Sequence, residues 1–128
     1  MTAVTRLVTI ADVDDDAKRV SVSARHEAVL ADGRRVLLLD DRGWASTQLW
    51  AAASADEIRE TTRTVVGPDE PAPDQSYEEA AAGHWATLAG TLRRRGVAVD
   101  PDDLRRLPHD VVLSPRLLRR LGRTGAGG

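Results

Sequence analysis

The sequence predicts an α+β fold: an N-terminal antiparallel sheet of three to four strands, covered on one face by C-terminal helices. Three observations support this prediction. Residues 20–44 alternate in polarity around Asp32-Gly33, which is typical of a β-hairpin. Two Ser-x-x-Glu capping boxes, at Ser54 and Ser76, start helices only after that hairpin. The 128 residues suit one domain, which we expect over 1–122, with a disordered Gly-rich tail over 123–128.

The hairpin is the clearest single element. Asp32-Gly33 fits the two central positions of a type I′ turn, because Gly takes a positive φ without steric cost. A loop of these two residues places Val29 opposite Val36. The same register predicts two further groupings: an Arg25/Asp40 pair, and a face on which alternate residues 20–30 lie with Leu37 and Leu39.

Other strands are shorter. Residues 4–11 predict a strand with Val8 and Ile10 on one side and Leu7 and Thr9 on the other. An acidic turn follows at residues 12–16. Residues 45–52 fit either a fourth strand or the approach to a helix, and residues 109–113 fit a short strand.

Helices follow the capping signals. The first box predicts a helix over 55–66, although its β-branched residues leave a strand over 61–66 as an alternative. The second box predicts a helix over 77–95, ended by Gly96, with an apolar stripe that faces the sheet. That stripe consists of Ala81, Trp85, Leu88 and Leu92. Asp100-Pro101 and Ser114-Pro115 start two shorter helices, the second ending at Gly122.

Composition excludes several kinds of chemistry. The chain has no Cys, which rules out disulfides, thiolate nucleophiles and Cys-based zinc sites. It also has no P-loop, no G-x-G-x-x-G and no G-x-S-x-G motif. We expect no signal peptide, because residues 1–16 have only a short apolar run and then turn acidic, and no apolar run approaches the roughly 20 residues of a membrane span. We therefore expect a cytoplasmic protein without membrane contact, and its Arg- and Ala-rich usage indicates a GC-rich bacterial genome.

Charge is distributed unevenly along the chain. The net charge is -2, but residues 80–128 hold 9 basic and only 4 acidic side chains. The simpler interpretation is that this basic half attracts the acidic N-terminal half within one fold. A basic surface for an acidic partner, or for nucleic acid, is the alternative.

Two groups of residues are candidates for binding another protein. Arg42 and Trp44 follow the hairpin, and guanidinium and indole groups are enriched in interface hot spots. In the alternative interpretation Trp44 folds into the core and Asp40 pairs with Arg25. The second group lies on the last helix and consists of Arg116, Arg119 and Arg120.

The three histidines support a different hypothesis. His26, His84 and His109 are far apart in sequence, but they would form a divalent-metal site if the fold brought them together. Without such convergence the chain favours a non-catalytic interaction or accessory protein that needs no cofactor. Its expected partner is another protein, and self-association into a homo-oligomer is compatible with the sequence. A metal-dependent enzyme and a nucleic-acid-binding protein are the alternatives.

Overall fold

The computed structural model describes residues 3–14 and 18–125, with side chains as far as Gly122. Within these residues a four-stranded sheet has the order β3-β2-β1-β4, in which β4 pairs parallel to β1 and the other pairs are antiparallel. The strands are β1 (Val4–Val13), β2 (Arg19–Leu30), β3 (Arg35–Leu49) and β4 (His109–Leu113). The helices are α1 (Ala55–Val65), α2 (Tyr77–Arg94), α3 (Pro101–Arg105) and α4 (Pro115–Gly125). The predicted α+β class, with strands first and helices after them, is confirmed.

Local signals set most element boundaries. Ser54 accepts a hydrogen bond from the Glu57 amide, and α1 runs through the segment for which a strand was the alternative, so that alternative is wrong. The capping box of α2 is complete, since Ser76 and Glu79 bond each other's backbone amides. The open segment 45–52 continues β3 to Leu49 and then forms a 3₁₀ turn.

The C-terminal helix α4 extends beyond its predicted end. The sequence places that end at Gly122, whereas α4 runs to Gly125. Two predictions concern residues outside the described ranges. They are the disorder of residues 126–128 and the acidic turn at residues 15–16.

The hairpin loop contains three residues instead of the predicted two. The Leu30 amide bonds the Arg34 carbonyl at 2.8 Å, and the Gly33 amide bonds the Leu30 carbonyl at 2.9 Å. Gly33 takes a φ of 89°, as expected for the last residue of a three-residue loop. The predicted register is therefore wrong by one position near the turn, and Val36 lies opposite Ala28 instead of Val29.

Bulges in β3 then change the register again. Ala24 lies opposite Arg42 and His26 opposite Leu39, so Asp40 and Asp41 together oppose a single residue of β2. The predicted Arg25/Asp40 ion pair is not formed, because Arg25 bonds Glu27 at 2.8 Å. Asp40 acts on Arg25 only through a longer-range attraction that helps to raise its pKa.

The β3 bulges decide where Arg42 and Trp44 point. Arg42 lies opposite Ala24, and Trp44 lies opposite Val22. Ala24 and Val22 are both buried, so the side chains of Arg42 and Trp44 lie on the sheet face that the helices cover. Gly43 lies between them, and a Cβ there would come within 2.9 Å of the Val22 carbonyl oxygen. A side chain at this position would therefore push the two strands apart.

Two apolar clusters lie between the sheet and the helices. The α2 cluster lies beneath α2 and α3, and the α1 cluster beneath α1, α4 and the 3₁₀ turn. The buried members of the α2 cluster are Leu7, Ala28, Leu30, Leu38, Leu88, Ala89, Leu92, Val97 and Leu104. Those of the α1 cluster are Ala11, Val13, Val20, Val22, Trp50, Ile58, Val111, Leu113 and Leu117. Trp85, which the sequence places in the sheet-facing stripe of α2, packs against the α2 cluster and is only partly buried.

Candidate functional site

A row of polar side chains crosses the helix-covered face of the sheet, and neither apolar cluster includes it. Thr9 of β1 lies directly opposite His26 of β2. On the other side, β4 runs parallel to β1 and places His109 opposite Leu7, within reach of Thr9. Thr9 and His26 are 0% and 1% exposed. Buried polar groups are costly unless they are hydrogen-bonded, so the contacts of these three residues need to be accounted for.

One hydroxyl group joins the two imidazoles. Thr9 Oγ1 lies 2.7 Å from His26 Nδ1 and 2.6 Å from His109 Nε2. The imidazole centroids are 5.0 Å apart, with their planes at 69°. We call this group the Thr9–histidine triad.

Both imidazoles of the triad are neutral at pH 7. Burial, with smaller electrostatic contributions from His109, His84 and Arg42, lowers the pKa of His26 to about 3. Burial also lowers the pKa of His109, with a contribution from Arg63, while Asp110 opposes the shift. Each ring therefore carries one N–H and one bare nitrogen.

The shared hydroxyl restricts the tautomers. Thr9 Oγ1 makes no other hydrogen bond within the described residues, so its proton must go to one imidazole while it accepts from the other. If it donates to His26 Nδ1, both rings carry their proton on Nε2. If it donates to His109 Nε2, both carry it on Nδ1. In either case the two remaining ring nitrogens are one donor and one acceptor.

The two imidazoles of the triad line a small cleft, and Thr9 is buried behind them. A cavity of about 210 Å³, here called the histidine cleft, opens between α1, α2 and β4. Its lining residues are His26, Arg63, Val66, Gly67, Pro68, Trp85 and His109, which include no carboxylate. Arg63 lies at the end of α1 that meets β4, and its guanidinium donates to the His109 carbonyl oxygen at 2.8 Å.

His84 lies outside the histidine cleft. It lines a second cavity of about 380 Å³ together with Arg42 and Asp69. Burial lowers its pKa, and its Nε2 is buried without a hydrogen-bond partner in the described part of the chain. Across residues 3–14 and 18–125, no three or more His, Asp or Glu side chains are grouped so that they could hold a metal ion. The metal-site hypothesis therefore gains no support from the fold, which brings together only two of the three histidines.

Arg42 and Trp44 connect β3 to the helical layer. Arg42 is 24% exposed, and it donates to the Val65 carbonyl oxygen at 3.2 Å and to Asp69 at 2.9 Å. The Trp44 indole donates to Thr62 at 3.1 Å. These contacts match the alternative in which Trp44 folds into the core. Their role as anchors for a partner stays a prediction.

The three arginines of α4 have different environments. Ser114 caps the helix by accepting from the Leu117 amide, and it donates to Asp12 at 2.7 Å. Arg116 lies 3.9 Å from the same carboxylate and is 60% exposed. Arg119 is exposed, whereas the Arg120 guanidinium lies 6.0 Å from the centre of the Trp50 ring.

Thr9 is the member of the site that sequence reasoning missed. A single Thr in a β-strand has the pattern of any β-branched strand residue, and only its position between two histidines on neighbouring strands distinguishes it. Comparisons with protein-family models, curated proteins and solved structures find no match to this chain. No helix in the described ranges is long and apolar enough to cross a membrane.

Proposed function

We propose that the protein binds a small molecule in the histidine cleft. The observation that carries this proposal is the Thr9 hydroxyl, shared by two neutral imidazoles that line a cavity. Small-molecule sites are typically concave and largely apolar, with a few converging polar groups. The cleft has this character, because Val66, Pro68 and Trp85 provide apolar walls above the two rings.

Energetics favour a functional role for the triad. Neutral buried hydrogen bonds contribute only about 0.5–1.5 kcal/mol each, so three apolar side chains of similar shape would stabilise this sheet about as well. Titratable groups in a cleft whose pKa values are shifted by burial, as those of His26 and His109 are, are often found at functional sites. Both imidazoles line the cleft, and each has one ring nitrogen that Thr9 does not use.

An NMR screen tests this proposal. ¹⁵N-labelled protein is titrated with a library of single-ring fragments, and the Gly67 amide and the Trp85 indole serve as reporters. We expect fragments that shift both signals in the wild type and in Tyr77→Ser, which alters an exposed side chain at the start of α2. The same fragments should bind more weakly to His109→Leu. Shifts confined to other regions, or binding unaffected by His109→Leu, would refute the proposal.

A second candidate function is binding of an acidic protein partner through α4. One observation favours it: Leu118 is 48% exposed on α4, and Arg116 and Arg119 of the same helix are exposed as well. No Asp or Glu follows Asp110 in the sequence, so this surface is basic and partly apolar. Such a surface complements an acidic amphipathic segment of another protein.

A photo-crosslinker tests the second candidate. It is placed at position 118, with position 77 on α2 as an exposed control. We expect position 118 alone to capture an acidic protein, and the purified pair should bind at least tenfold more weakly when Arg119 is changed to Glu. Capture of nucleic acid, capture of a second copy of the chain, or equal capture from both positions would each contradict this candidate.

A further inference from the structure

We infer that the ligand of the histidine cleft presents an amide-type edge, with one hydrogen-bond donor beside one acceptor, on a small planar body. This inference rests on the proposed binding function and names its ligand class. Its basis is the Thr9–histidine triad, which leaves one donor and one acceptor nitrogen whichever way the hydroxyl proton points.

Charged ligands match the two imidazoles less well than a neutral amide does. A carboxylate has only acceptors at neutral pH, so one of its oxygens would face the bare imidazole nitrogen. An ammonium group has only donors, and the cleft offers it no carboxylate while Arg63 carries a positive charge at its edge. A primary amide or a lactam has both a donor and an acceptor, and its lack of charge avoids the cost of desolvating an ion.

The walls and the volume of the cleft suggest a single ring. An apolar cavity of about 150 Å³ is large enough to bind benzene. The histidine cleft, at about 210 Å³, has room for one ring with an amide substituent. Trp85 offers an indole against which a planar ring can pack, and Pro68 and Val66 complete an apolar surround.

Four probes of similar shape test the inference. Benzamide, benzoate, benzylamine and N,N-dimethylbenzamide are titrated at pH 7 and followed at the Trp85 indole and the Gly67 amide. We expect benzamide to bind about tenfold more tightly than each of the other three, as the loss of one satisfied buried polar group implies. If benzoate or benzylamine binds as tightly as benzamide, the amide assignment is refuted. Equal binding of N,N-dimethylbenzamide would also refute it, because that probe keeps the acceptor but has no donor.

The outcomes separate this inference from the proposed function. If fragments bind in the cleft without preference for the amide, the ligand class is wrong and the binding function stands. If no fragment shifts Trp85 or Gly67, the binding function itself fails, and the inference fails with it.

Variants at Thr9 provide a matched test of the mechanism. Thr9→Val keeps the shape and removes the hydroxyl, whereas Thr9→Ser keeps the hydroxyl. We expect benzamide binding to weaken about tenfold in Thr9→Val and to be retained in Thr9→Ser. Long-range ¹H–¹⁵N NMR of the wild type gives a second readout that requires no variant to fold. His26 and His109 should carry their protons on the same type of nitrogen, and opposite tautomers would overturn the inference.

Discussion

Mild acid should destabilise the protein, because His26 must remain neutral in the folded state. Its pKa is about 3 when folded, mainly because of burial, and near 6.5 when unfolded. Between these values the unfolded chain binds more protons than the folded chain. The contribution of His26 to stability is therefore fully present above pH 6.5, and it is lost as the pH falls towards 3.

The size of the effect follows from the same two pKa values. Each pH unit between them costs up to about 1.4 kcal/mol, so lowering the pH from 7 to 5 should cost about 2 kcal/mol through His26 alone. His84 and His109, whose pKa values burial also lowers, add to this loss. A domain of this size is typically stable by only about 5–15 kcal/mol, so the change is large enough to measure.

Urea denaturation followed by tryptophan fluorescence gives the required free energies of unfolding. The wild type and His26→Gln are compared at pH 7, 6 and 5, and the variant should lose about 2 kcal/mol less than the wild type over this interval. An NMR titration of the wild type should show His26 still neutral at pH 5. An equal loss in the two proteins, or titration of His26 near pH 6.5, would refute the reasoning.

Three further substitutions test packing and backbone geometry by urea denaturation. Thr9→Val should lower the free energy of unfolding by about 2–4 kcal/mol because it leaves ring nitrogens unsatisfied, and Thr9→Ser should lower it by only about 1 kcal/mol. Equal losses in the two variants would contradict a role for the hydroxyl. Gly33→Ala should cost about 1 kcal/mol because φ there is 89°, and a neutral result would mean that the loop is free to rearrange. Leu92 is fully buried, so Leu92→Ala should lower the free energy of unfolding by about 2–5 kcal/mol. This loss should exceed that of Trp85→Ala, because the Trp85 side chain is partly exposed. The reverse order would place Trp85 at the centre of the core.

Local signals in the sequence predict the elements well. Ser54 and Ser76 cap α1 and α2 where the capping boxes predict, and residues 109–113 form the expected strand. The two caps depend on groups only three residues apart, so the local sequence is sufficient to predict them. The α+β class follows from the order of those elements.

The strand register could not be predicted, because Asp32-Gly33 fits a two-residue and a three-residue loop equally well. The bulge at Asp40 and Asp41 has no local sequence signature, yet it turns Arg42 towards the helices. The sequence did not reveal that Arg42 bonds Val65 and Asp69 within the fold, and its role as an anchor for a partner stays a prediction.

The candidate site was predictable only in part. The three histidines were identified as candidates from their residue type, and two of them line the cleft. His109 comes close to His26 only because β4 pairs with β1. The residue pattern of β4 does not specify which strand it pairs with. Thr9 becomes recognisable only once both neighbouring strands are in place.

The position of β4 has a consequence for the way the protein is made. The hydrogen bond between Thr9 and His109 joins residues 100 positions apart. Synthesis from the N-terminus delivers β1, β2, β3, α1 and α2 first, and a nascent chain that stops before His109 has only one of the two imidazoles that line the cleft. Because β4 follows the three antiparallel strands in the chain, the histidine cleft is among the last features to be completed. A ligand that requires both imidazoles would therefore bind only chains whose synthesis has passed β4.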